Sequence, residues 1–237
     1  MTFGYAFILS TLPAFLKAVG VTLQVGFIAI GTSLLVALLN ATILVFRTPY
    51  LQRLVSLYVE LARNTPLLIQ LYLIYYGIAQ LEWVQAMWDT VWPWTMFKDP
   101  FFCAVAAFSL NTCAYTVEML AGAIKETPAG EIEAAQAAGY GKWNMMFRLV
   151  LPSALRRTLP AYSNEVVMML HSTSLASTVP AMMDVTAAAS RIYSDFYLPF
   201  EAYLFAAGIY LVITFTLVGG FKLTERRFLA HLAPRSH

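Results

Sequence analysis

From Ala18 to Phe46 the chain runs for 29 residues without a single Asp, Glu, Lys or Arg. The hydrocarbon core of a bilayer is crossed by about 20 mainly apolar residues in a helix. A run this long has no soluble solution short of complete burial, and only 12% of the residues are charged, against about 25% in soluble domains. Four further runs repeat the pattern. They are Asn64–Leu81, with a helix starting nearer Ser56; Pro100–Val117, continuing past Glu118 to Ile124; Leu159–Met183, interrupted only by Glu165; and Ala202–Phe221. The expectation is therefore an all-α integral membrane protein with five transmembrane helices in a single domain over residues 1–237. The apolar stretch Phe3–Phe15 has no basic residue before it and contains Gly4, Ser10, Thr11 and Pro13. It lacks the basic n-region of a signal peptide and is expected to lie at the membrane surface.

Five crossings put alternate loops on opposite sides. Arg47, Arg53, Arg63, Lys125, Lys142, Arg148, Arg156, Arg157, Lys222, Arg226, Arg227 and Arg235 fall on one side, twelve of the fifteen basic residues. Lys17, Lys98 and Arg191 fall on the other. Cytoplasmic loops carry the excess of Lys and Arg, so the N-terminus is expected outside and the C-terminus inside. Trp83, Trp88, Trp92 and Trp94 crowd one outer loop, as interfacial aromatic residues do. A net charge of +2 gives no basis for a nucleic-acid partner. Cys103 and Cys113 lack zinc-type spacing and read as small apolar packing groups.

The cytoplasmic stretch at residues 125–157 has its own pattern. Pro128 suits the first turn of a helix, residues 131–138 are rich in Ala, Glu and Gln, and Gly139 stands where a helix terminates in a left-handed residue. Pro152 is then expected to begin the next helical segment. Within this stretch Glu133-Ala134-Ala135 is followed by Gly139, Leu149, Leu151 and Pro152 at the spacing E-A-A-x3-G-x9-I-x-L-P, with Leu149 in the Ile position. This resembles the EAA loop of bacterial ABC-importer permeases of type I. Arg63-Asn64-Thr65-Pro66-Leu67 with Gln70 is similar to the R-G-T-P-L-x-x-Q stretch of the polar amino-acid permeases, with Asn64 in place of Gly. The stretch Asn111–Thr178 resembles the M-type membrane subunit of the histidine/lysine/arginine/ornithine importer.

The resemblance implies that Glu133, Ala134, Ala135, Gly139, Leu151 and Pro152 form the coupling element that docks in a separate ATP-binding subunit. It also implies a second related permease in a heterodimer, a periplasmic amino-acid-binding protein and an inner-membrane location. ATP and Mg would sit on the partner ATPase. The chain itself has no G-x-x-x-x-G-K-[ST] phosphate loop; Gly219-Gly220-Phe221-Lys222 lacks that spacing. No cofactor, metal or catalytic constellation is expected on it. The substrate implied is a basic amino acid (histidine, arginine, lysine, ornithine or a related opine), with glutamine and other polar amino acids open.

Ionisable residues inside spans are functional candidates by default. Glu165, with Ser163 and Asn164, is expected to meet a cationic substrate or a structural partner near Arg156–Arg157. Asn164 and His171, and Glu165 and Ser172, are seven apart and share helix faces, so His171 and Ser172 join the candidate substrate set; His171 reads equally as a packing group. Asn111, Tyr115 and Glu118 form one stripe on the third span. Glu118 and Arg63 are expected to make a gate or a structural ion pair. Asp184, Arg191, Asp195 and Glu201 read as outer-loop charges available to a binding protein. A proton-coupled transporter or channel using Glu118, Glu165 and His171 is the rival reading, and ATP dependence separates the two.

Overall fold

The computed structural model describes residues 5–46, 50–78 and 81–228, and every regular element there is helical. Arg47 and Arg235, counted above among the inner charges, lie outside the described residues. Helix α1 (Tyr5–Phe46) is 42 residues long, about 63 Å at 1.5 Å per residue. It runs through Pro13 without a break, so from Tyr5 on the N-terminal run expected to lie at the surface is continuous with the first long helix; Phe3 and Gly4 lie outside the described residues. Among the described residues, three helical stretches are long and apolar enough to cross a membrane: Ser10–Phe46, Pro100–Lys125 and Pro199–Phe228.

The stretches expected as the second and fourth spans are built differently. The second is divided into α2 (Leu51–Asn64) and α3 (Leu67–Tyr72), the latter continued by a π-helical turn at Leu73–Gly77. Pro66 forces the division. It has no N–H, and the residue before it is pushed to extended backbone, as Thr65 is at φ −113°, ψ 138°. A short α4 (Glu82–Met87) and a 3₁₀ turn at Trp94–Lys98 carry the tryptophan-rich loop, where Trp83 and Trp94 meet edge to face at 4.8 Å.

Helix α5 (Pro100–Lys125) starts with proline in the first turn, and the Asp99 carboxylate accepts the Phe101 N–H at 3.0 Å. Both are ordinary helix-start devices. After α5 comes α6 (Ala129–Ala137). Then α7 (Lys142–Met145) passes through a π-helical turn at Met146–Val150 into α8 (Leu151–Ser172), which a 3₁₀ turn extends to Thr178. Pro152 stands in the first turn of α8 as expected, but the helical path already starts after Gly141. A π-helical turn lies just before the proline, and its wider turn eases the clash between a proline ring and the carbonyl of the preceding turn. Helices α9 (Val185–Phe196) and α10 (Pro199–Phe228) complete the chain.

Helix α5 is the hub, with fourteen buried residues. Its second half packs with α2 and the start of the α7–α8 unit through Val55, Val59, Cys113, Val117, Leu120, Met146, Val150 and Ala154. Its first half packs with α3 and the end of α8 through Leu71, Phe108 and Met169. Both α2–α3 and α8 thus run antiparallel to α5. Helix α1 lies against the bundle along Ala18, Thr22, Val25, Ala29, Ser33, Ala37 and Ala41, all 2% exposed or less. Most of these are small and four residues apart, which lets helix axes approach closely where the driving force is van der Waals packing. A third cluster joins Phe15 and Ala18 to α9 and to Ala202 and Ala206 of α10.

Candidate functional site

Breaking a helix inside an apolar bundle frees carbonyl groups that must be satisfied locally. The Ala62 carbonyl is the one that Pro66 would have served. It accepts instead from Gln70 Nε2 at 2.7 Å and from Asn111 Nδ2 at 3.3 Å. Gln70 Nε2 also reaches Thr65 Oγ1 at 2.7 Å, and its Oε1 accepts from Asn111 at 3.3 Å. Thr65 Oγ1 donates to the Leu61 carbonyl at 2.8 Å and Asn64 Nδ2 to the Glu60 carbonyl at 2.8 Å. Tyr115 Oη donates to the Arg63 carbonyl at 3.3 Å. The side chains of the Arg63–Gln70 stretch and of Asn111 and Tyr115 thus serve the broken end. Asn64, in the position where the similar permeases have Gly, bonds the backbone of its own helix.

The break opens a cavity of about 410 Å³, lined by Arg63, Asn64, Thr65, Pro66, Leu67, Asn111, Thr112, Tyr115, Glu165, Met168, Met169 and Ser172. It falls within the size range of small-molecule sites. It carries a guanidinium from α2 and a carboxylate from α8. Among the described residues no ion pair engages Glu165. Arg157, the partner weighed from the sequence, bonds elsewhere: its guanidinium serves Ser153, Ala123 and Thr127.

Of the sequence-derived substrate set, Glu165, Ser172, Asn111 and Tyr115 come together here. Asn111 has given its amide donor to the backbone and to Gln70. Ser172 Oγ donates to the Met168 carbonyl at 2.9 Å. Ser163, Asn164 and His171 do not line the cavity. Ser163 bonds the Pro160 carbonyl at 2.8 Å, and His171 Nε2 meets Thr214 Oγ1 of α10 at 2.9 Å. Thr65, Leu67, Met168 and Met169 were not foreseen as lining groups; Pro66 was the available signal, because a proline that breaks a spanning helix creates the cavity wall. Tyr115 sits under the Arg63 guanidinium at 5.4 Å, and Arg63 Nη1 lies 3.8 Å from Glu118 Oε2. Both charged side chains are about half exposed, so the pair contributes little to stability by itself. A further cavity of about 380 Å³ meets the first at Arg63, Asn64 and Tyr115 and includes Glu60 and Glu118.

The second candidate site is α6. Its C-terminus is a Schellman end: Gly139 N–H bonds the Gln136 carbonyl at 2.9 Å and Tyr140 N–H the Ala135 carbonyl at 3.0 Å, with Gly139 at φ +80°. Glu131, Glu133, Ala134, Gln136, Ala137 and Ala138 are exposed. Ala135 is buried, on an element that packs with α7. Leu151 packs against the core around α5, and Pro152 sits beside it at the start of α8. These two form the base on which the α6–α7 excursion is mounted. Asp184 is not an outer-loop charge. It is 1% exposed and caps α9, accepting the Thr186 and Ala187 N–H groups at 3.0 and 3.1 Å and the Tyr210 hydroxyl at 3.4 Å.

The chain matches, over residues 29–229, the family described as binding-protein-dependent transport system inner membrane component. It is 39% identical over 225 residues to the octopine transport system permease protein of Rhizobium radiobacter, covering 95% of this chain and 90% of that protein. It is 41% identical over 225 residues to the histidine/lysine/arginine/ornithine transport system permease protein of Escherichia coli K12, covering 92% and 90%. Its fold superposes on a crystal structure of an amino acid ABC transporter with histidines at a TM-score of 0.80 and 30% identity, covering 96% of this chain and 100% of that one. A methionine ABC transporter in an inward-facing conformation gives 0.73 at 16% identity, covering 92% and 97%, a likeness of fold. The chain is accordingly a transport subunit of an ABC importer, not an enzyme, and it belongs to the family of binding-protein-dependent transport system inner membrane components.

Proposed function

We propose that this chain is one of two permease subunits, paired as a heterodimer, of an ATP-driven importer for basic amino acids or opines. The observation that carries the substrate class is the cavity at the α2–α3 break, where Glu165 has no ion-pair partner among the described residues and Arg63 stands on another wall. A carboxylate inside a membrane bundle is stabilised by a cation. A basic amino acid brings one on its side chain, while its α-carboxylate is complementary to a guanidinium. The names of the relatives, which cover histidine, lysine, arginine, ornithine and octopine, support the same class. His171, bonded to α10, holds α8 against its neighbour, and Asn111 shapes the cavity.

Five crossings are assigned to α1, α2–α3, α5, the α7–α8 unit and α10. The α2–α3 unit, residues 51–77, spans about 40 Å at helical rise, more than the roughly 30 Å core. The distribution of Lys and Arg supports a periplasmic N-terminus and a cytoplasmic α6 in an inner membrane. The exposed face of α6, with Glu133 and Ala134, docks in a separate ATPase that holds ATP and Mg. A periplasmic amino-acid-binding protein delivers substrate from the other side. The whole chain is one permease domain, with residues 125–157 as its coupling excursion.

The test is uptake of radiolabelled arginine into proteoliposomes holding this chain with its neighbouring permease, ATPase and binding protein, with and without internal ATP. ATP-dependent uptake competed by lysine or histidine but not by glutamate is expected. ATP-dependent uptake of a different solute discards the substrate class. Proton-driven uptake by this chain alone overturns the importer.

A further inference from the structure

Where the chain leaves α5 for α6, a single side chain from α8 reaches across. Arg157 Nη2 donates to the Ala123 carbonyl at 2.8 Å and to Thr127 Oγ1 at 3.0 Å, while Nη1 donates to Ser153 Oγ at 2.6 Å. Ala123 supplies one of the last four carbonyls of α5, groups that a helix cannot serve from within. A cation there also complements the negative end of the helix dipole. Thr127 is 7% exposed and sits just before Pro128, the residue that precedes α6. The turn itself is tight: Glu126 N–H bonds the Gly122 carbonyl at 3.0 Å and Thr127 N–H the Ile124 carbonyl at 3.2 Å. One planar fork therefore ties together the end of α5, the root of α6 and the body of α8.

Without this tie, α6 connects to α8 along the chain through the Gly139 turn, α7 and the π-helical turn at Met146–Val150, a path whose hydrogen-bonding changes register, and through the apolar packing of the end of α5 against α8. With it, the root of α6 is fastened directly to α8 eight residues before Glu165, about 12 Å along the helix. The guanidinium suits the task because its donors are fixed in one plane, whereas a lysine ammonium is a point charge on a flexible stem. Arg157 Nε is buried without a hydrogen-bond partner among the described residues. That is consistent with a side chain placed for the three contacts it makes on its Nη atoms.

We infer that Arg157 is a positioning residue that fastens the root of the coupling helix to α8, so that displacement of α6 moves the end of α5 and the cavity-lining part of α8 as one body. The inference rests on the importer reading above. Its test uses the reconstituted complex with binding protein, comparing wild type with Arg157→Gln, Arg157→Lys and Thr127→Val. Arginine uptake per ATP hydrolysed is measured beside the ATPase content of the purified complex. Thr127→Val preserves shape and removes one contact, so it decides the matter if Arg157→Gln does not assemble.

The expected result is normal ATPase content with a fall in uptake per ATP. The fall is about tenfold for Arg157→Gln, the scale of a lost hydrogen bond to a charged group, and about threefold for Thr127→Val, the low end of a single lost hydrogen bond. Arg157→Lys should fall between wild type and Arg157→Gln. An unchanged ratio in Thr127→Val and in whichever Arg157 variants assemble overturns the inference. So does loss of the ATPase from the complex with an unchanged ratio, which makes Arg157 a docking or folding group. Absence of ATP-dependent uptake in the wild type is a separate result that removes the importer reading itself.

Discussion

Gly139→Ala isolates the conformational requirement at the end of α6. Gly139 has φ +80°, and no atom lies within 4 Å of where a Cβ would sit. The substitution therefore meets no neighbour, and its cost is the left-handed backbone alone, about 1 kcal/mol for a residue with a Cβ. That penalty falls on the two closing bonds, Gly139 N–H to Gln136 and Tyr140 N–H to Ala135. At 1.4 kcal/mol per factor of ten, the Schellman end opens about fivefold more often. Hydrogen–deuterium exchange of the peptide covering residues 132–142 in the purified complex reads this directly. The expectation is about fivefold faster exchange at those amides in Gly139→Ala, and a smaller change in Gly139→Asn, because Asn visits the left-handed region more readily. Equal exchange in wild type and Gly139→Ala would refute the claim that backbone conformation sets the residue at this position.

Gln70→Leu keeps the side chain's size but strips the Ala62 carbonyl of its 2.7 Å donor; the loss of stability should be about 1–3 kcal/mol, read as a lower thermal-inactivation midpoint of the detergent-purified complex, and an unchanged midpoint contradicts the account of the break. Glu165→Gln should lower uptake of a cationic amino acid by about tenfold, the scale of a lost charge-assisted hydrogen bond, and unaffected uptake with ATPase docking intact excludes direct contact. Asp184→Ala removes the α9 cap and should cost about 1–2 kcal/mol, seen as faster proteolysis at residues 179–196. Asp184→Asn retains one acceptor oxygen and should lose less; equal sensitivity of the two variants argues against a capping role.

The segments most legible in the sequence are those governed by local physics. An uncharged run of bilayer length must be a helix in lipid, so α1, α5 and α10 follow from composition and length. Gly139 as the helix terminus follows from the absence of a Cβ, and the approach of Glu118 to Arg63 from the expectation that both lie near the same end of their spans. The α2–α3 break was available in Pro66, and the helix expected to start nearer Ser56 starts at Leu51.

Helical periodicity reports which residues share a face, but it carries no information about what lies opposite that face. The partners of Gln70 and Asn111 at the Ala62 carbonyl, the pairing of His171 with Thr214, the burial of Ala135 and Asp184, and the fork of Arg157 all depend on contacts between segments far apart in the chain. The sequence by itself determined a helical membrane protein with a glycine-terminated helix at residues 131–138, because backbone satisfaction in lipid and the missing Cβ of glycine are local requirements. Only the tertiary structure decided which polar groups face the cavity and which are consumed by freed carbonyls, because a buried hydrogen bond is made with whichever donor packing brings within reach.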